Sequence, residues 1–93
     1  MSEDVIDNPQ ASRYEIHVDG KLAGFAEYGN RPGKIVFTHT EVGAEYEGKG
    51  VGSALARGAL DDVRARGLAV VPRCPFIKGW ISRHPDYEDL VAS

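Results

Sequence analysis

Three glycines at alternate positions, Gly48, Gly50 and Gly52, lie within EYEGKGVGSALARGALDD (residues 45–62) and open directly onto an amphipathic stretch. Glycine takes positive φ and lets a ligand reach the backbone with no Cβ in the way. The first turn of a helix leaves N–H groups free to face an anion. Phosphate binding is the chemistry expected of this junction. Upstream, His39 and Glu41 stand two apart in a β-branched and aromatic run and therefore point the same way. Downstream, Cys74 follows a strand end and precedes Pro75, with Arg73 and Lys78 close in sequence. A helix N-terminus and nearby cations favour a thiolate, whereas a free cysteine also serves as a small buried gap-filler.

The elements around these residues can be read from periodicity. RYEIHV (13–18) alternates, with Tyr14, Ile16 and Val18 on one face; Asp19-Gly20 is a hairpin signal, and KLAGFAEY (21–28) is the return strand. GNRPGK (29–34) reads as a turn and IVFTHTEV (35–42) as the central strand, with Ile35, Phe37, His39 and Glu41 expected on one side. From Val51 to Arg66 the apolar residues fall on one helical face, with Arg57, Asp61 and Arg64 opposite and Gly67 as the stop. LAVVP (68–72) then reads as a buried strand, which implies a parallel pair, and a second helix is expected from Pro75 up to Pro85. Residues 1–12 carry no period and are expected to form a flexible leader to a single domain at 13–93.

Composition narrows the classes. A chain of 93 residues with net charge −3 gives no global attraction to nucleic acid or anionic lipid. One cysteine excludes an intramolecular disulfide and a Cys-rich zinc site, and no metal is expected. The acidic N-terminus has no signal-peptide pattern, and no stretch approaches the ~20 apolar residues of a membrane span, so a cytoplasmic location is expected.

Spacing separates the phosphate loops. Gly43 to Lys49 gives GAEYEGK, but Gly50 stands where a Walker loop needs the Mg²⁺-binding hydroxyl. Gly48, Gly50 and Gly52 give GxGxG rather than the dinucleotide GxGxxG. The run instead resembles the acyl-CoA loop of the GCN5-related N-acetyltransferases, Gln or Arg, two residues, Gly, one residue, then Gly or Ala. Gly50 and Gly52 match, and Glu47 departs at the Gln/Arg place. HTEV (39–42), EGKGVGSAL (47–55), VVPRCPF (70–76) and HPDY (84–87) narrow the likeness to small YjdJ-type acetyltransferase-like proteins.

That resemblance implies a reduced α/β acetyltransferase fold: a mostly antiparallel sheet with one splayed parallel pair, 35–42 and 68–72, and two main helices. It implies acetyl-CoA as donor, held by Glu47, Lys49, Val51 and Ser53 beside the three glycines, with Val42 at the strand end. It also implies Glu41 as general base, with His39 the alternative; Cys74 is an acetyl carrier, a tuning group or a structural residue. The partner expected is an amine acceptor, a protein lysine among the candidates. The alternatives are a non-catalytic CoA-binding or interaction module and a domain for another phosphorylated ligand.

Overall fold

The computed structural model describes residues 2–92. Five strands form one sheet in the order β1 (Glu3–Asn8), β2 (Arg13–Val18), β3 (Lys21–Arg31), β4 (Lys34–Val42) and β5 (Ala69–Pro72). The first four pair antiparallel; β5 runs parallel to β4 after the crossover through α1 (Val51–Ala65), and α2 (Pro75–Ser82) follows. The expected class, a mixed α/β domain with one parallel pair, is the one observed.

Local chemistry sets the turns. Asp19 and Gly20 both take positive φ, 49° and 83°, as a two-residue hairpin turn requires. The next turn is tighter than the run 29–34 suggests. Gly29, Asn30 and Arg31 stay in the β3–β4 ladder, and only Pro32 and Gly33 leave it. Proline fixes its own φ and Gly33 supplies the positive one, so two residues suffice.

The core lies between the sheet and the two helices. All of Val51, Leu55, Ala56, Ala59, Leu60 and Val63, the apolar face expected of α1, are buried against Tyr14, Ile16, Ile35 and Phe37. The Tyr14 hydroxyl donates to Asp62 across 2.6 Å and ties β2 to α1; burial and then that carboxylate hold the phenol above its usual range. Neither helix covers the other sheet face, which carries Arg13, Glu15, His17, Phe25, His39 and Glu41.

Residues 3–8 correct the expected leader, since they form the edge strand β1, paired from Glu3 with Val18 to Asn8 with Arg13. The anchors are distant in sequence. Asp7 accepts from the Tyr28 hydroxyl at 2.6 Å and from Arg66 beyond α1. Val5 packs so closely on Gly58 that a Cβ there would come within 2.7 Å of it.

A second correction concerns β4. Tyr28 pairs with Phe37 and Glu27 with His39, so Thr38 is an extra residue, a β-bulge whose hydroxyl donates to the Glu27 carbonyl. The extra residue inverts the alternation that follows. Ile35 and Phe37 are in the core, while His39 and Glu41 emerge on the open face with side chains 55% and 62% exposed. Thr40 and Val42 take the helix side instead.

Candidate functional site

Splay between β4 and β5 creates the site. The two strands pair only from Lys34 with Ala69 to Phe37 with Pro72. The Phe37 carbonyl then accepts from the N–H groups of Arg73 and Cys74, at 3.0 and 2.9 Å, as the chain turns into α2. Beyond that point β4 has no strand partner on this side among the described residues. Because the Gly43 N–H bonds the Ala23 carbonyl on β3, alternation leaves the backbone N–H and C=O of Thr40 and Val42 directed into the gap.

At the outer end of the gap the loop glycines meet α1. Gly48 and Gly50 take positive φ, 78° and 77°, and Gly50 caps the helix without a side chain. The first helical bond is made by the Ala54 N–H to the Gly50 carbonyl, so the N–H groups of Val51, Gly52 and Ser53 precede the ladder. A Cβ at Gly52 would lie 2.9 Å from the tip of the exposed Phe76 ring, so a side chain there would need that ring to shift. Together these features enclose a cavity of about 490 Å³, inside the ~300–1,000 Å³ range of small-molecule sites.

Seven of the eight residues expected at the cofactor, Val42, Glu47, Gly48, Gly50, Val51, Gly52 and Ser53, line this cavity. Lys49 does not; it sits exposed at the turn, where its N–H bonds the Tyr46 carbonyl. The three residues expected to do chemistry lie outside the lining. His39 Nε2 and Glu41 Oε2 approach each other to 3.5 Å on the open face. Glu41 also borders a shallow depression of about 260 Å³ with Leu22 and Phe25, and among the described residues it is the one charged group in that wall. Cys74 is 2% exposed, and its sulfur shares a hydrogen bond of 3.2 Å with the hydroxyl of Thr40, which does line the cavity.

The remaining wall comes from residues that the sequence offered less plainly. Phe76, Trp80, Arg83 and His84 follow helical spacing along one side of α2 and its end. Trp80 organises them: its indole N–H donates to Ser53 at 2.8 Å, and His84 stacks on its face with centroids 3.8 Å apart. Arg57 lies over the same indole at 5.3 Å and donates to the Tyr87 hydroxyl, which donates in turn to Asp61. Burial first, then the bond to Asp61, pushes the Tyr87 phenol up. Thr40 was hidden by the bulge, since strict alternation puts it on the wrong face.

A mostly antiparallel sheet that splays at one parallel pair, with a glycine loop and helix N-terminus at the mouth, defines an acetyltransferase-type fold. The profile of the GCN5-related N-acetyl-transferase family matches residues 13–90, and the chain belongs to that family. Among solved structures, a GCN5-like protein from Staphylococcus aureus superposes with a TM-score of 0.73 at 21% identity, covering 97% of this chain and 88% of that one. The ribosomal-protein-S18-alanine N-acetyltransferase of Escherichia coli gives 0.60 at 23% identity over 69% of this chain and 42% of its own. The ribosomal-protein-alanine N-acetyltransferase of Brucella melitensis biovar Abortus 2308 gives 0.57 at 24% identity over 87% of this chain and 61% of its own. The chain thus spans under two thirds of either bacterial enzyme. No curated protein matches the sequence.

Proposed function

We propose that the chain binds acetyl-CoA in the cleft between β4 and β5 and transfers the acetyl group to an amine. The observation that carries this is the continuity of one cavity from the free N–H groups at Val51 to Ser53 along the unpaired edge of β4 at Val42 and Thr40. Helix N–H groups suit the diphosphate. The β4 edge offers the amide groups of the pantetheine arm the same bonds that an added strand would make.

The acceptor amine reaches the thioester from the open face through the split. Glu41, paired with His39, takes the amine proton; the nitrogen bonds the carbonyl carbon, the carbon–sulfur bond breaks, the departing thiolate takes up a proton from solvent, and Glu41 returns its own to solvent. Cys74 acts through Thr40, tuning the hydroxyl at the cavity wall rather than carrying the acetyl group, because its thiol is closed off behind that residue. The depression beside Glu41, with Leu22 and Phe25 as apolar wall, suits the alkyl part of a lysine side chain. A protein amine is the acceptor class this favours, and two of the similar enzymes are named for an alanine of a ribosomal protein.

Titration with CoA, acetyl-CoA and ATP, followed by Trp80 fluorescence and amide shifts at residues 48–53, tests the reading. CoA and acetyl-CoA are expected to bind and ATP not. Binding of ATP without CoA overturns it. Binding without turnover over a broad panel of peptides and amines identifies the non-catalytic module, a reading favoured by the placement of Glu41 and the cavity on opposite faces of the sheet.

A further inference from the structure

Glu47 brings a carboxylate to the loop that is to hold a diphosphate, and it lines the cavity there. Two side chains from the end of α2, Arg83 and His84, line the same cavity. Arg57, Arg64 and Arg66 are committed to Tyr87, Asp89 and Asp7. Arg83 has no carboxylate partner among the described residues, so its charge is available to a ligand.

His84 is fixed more closely. Its Nδ1 lies 2.7 Å from the Trp80 carbonyl oxygen, and because a carbonyl only accepts, Nδ1 carries a proton. Nε2 is then the unbonded nitrogen of a ring held nearly parallel to the indole, at 13°. The indole in turn donates to Ser53, whose hydroxyl oxygen accepts and whose proton remains to be given to something else in the cavity. One hydrogen bond and one ring stack therefore join Ser53, Trp80 and His84.

The geometry points to Arg83 and His84 as the cationic half of a diphosphate-binding site, supplying the charge that Glu47 opposes, with a phosphate oxygen at Nε2 bringing a proton to that nitrogen. This rests on the acyl-CoA reading for its ligand and adds to it the residues that neutralise the phosphates. The proton comes from solvent, since a phosphate oxygen at that position needs an N–H to face it. The ionisable groups around the ring are Arg83 beside it, Tyr46 and Glu47 across the cavity, Arg57 over the shared indole, and Tyr87, which meets Trp80 edge-on and bonds Asp61.

Calorimetry on the full chain tests it, with CoA, pantetheine and inorganic pyrophosphate as probes in two buffers of different ionisation enthalpy. The variants are Arg83→Gln and His84→Phe, the second keeping the stack on Trp80, with circular dichroism to establish that both fold. Each is expected to weaken CoA and pyrophosphate about tenfold, the size of one charge-assisted hydrogen bond, and to leave pantetheine within about twofold. Wild type is expected to take up a proton with CoA and His84→Phe not, while Glu47→Gln tightens CoA. Equal losses for CoA and pantetheine, or proton uptake that persists in His84→Phe, overturn the assignment. If wild type ignores CoA yet binds pyrophosphate through Arg83, the acyl-CoA reading falls and the anion site stands; if it binds neither, both fall.

Discussion

Glu41 carries its carboxylate on the open face, 3.5 Å from His39, whereas Cys74 is enclosed on the helix side with its sulfur against Thr40. The two residues are therefore expected to respond differently to substitution. Glu41→Gln is expected to lower the acetylation rate at neutral pH by roughly 10²-fold, a typical loss for a general base, with CoA affinity unchanged in calorimetry. An unchanged rate would transfer the base to His39 or to solvent. Cys74→Ala keeps most of the turnover if the thiol only tunes Thr40, and mass spectrometry of wild type with acetyl-CoA then finds no adduct on Cys74. An acetyl adduct there would make it a carrier.

Strand β4 marks where the sequence could be read and where it could not. Its start is legible in Ile35 and Phe37, both fully in the core, and its end in the loop glycines that it feeds. Thr38 is the break: a threonine in a bulge has the same β-branched character as one in a regular ladder, so nothing local announces the inversion that sends Thr40 inward. Edge strand β1 was illegible for a related reason. EDVIDN has two apolar residues and no period, and it is held by Tyr28, Arg66 and Gly58, partners that only the folded chain brings near. By contrast, the Asp19-Gly20 hairpin and the buried face of α1 depend on neighbours in sequence and were readable. Asp7→Ala removes the acceptor from the Tyr28 hydroxyl and from Arg66 together. It is expected to cost about 1–3 kcal/mol in urea denaturation, the penalty of leaving the buried Tyr28 hydroxyl unpaired, since the exposed Arg66 keeps Asp62, and to speed amide exchange in β1 and its β2 partners while Leu55 to Val63 stay protected. Uniform loss of protection would mean that β1 unfolds only with the whole domain.

With both helices on one face, the whole sheet must satisfy its polar groups on the other without their help. Glu15 is the test of that, a carboxylate only 6% exposed in the middle of the open face. His17, Arg13 and Asn8 surround it at 3.0, 2.8 and 3.1 Å. Their hydrogen bonds, that from His17 foremost, outweigh burial and hold the carboxyl down at about 2, against 4.5 for an ordinary glutamate. The unfolded chain therefore takes up this proton first as pH falls. The stability Glu15 contributes is complete above about 4.5 and is lost as pH drops toward about 2. Urea midpoints of wild type and Glu15→Gln are expected to differ at neutral pH and to converge over that interval, whereas a constant difference would place the stabilisation elsewhere. The cluster faces away from the cleft, so Glu15→Gln is expected to leave CoA affinity at neutral pH as it was; a loss there would mean that the open face and the cleft are mechanically coupled through β3 and β4.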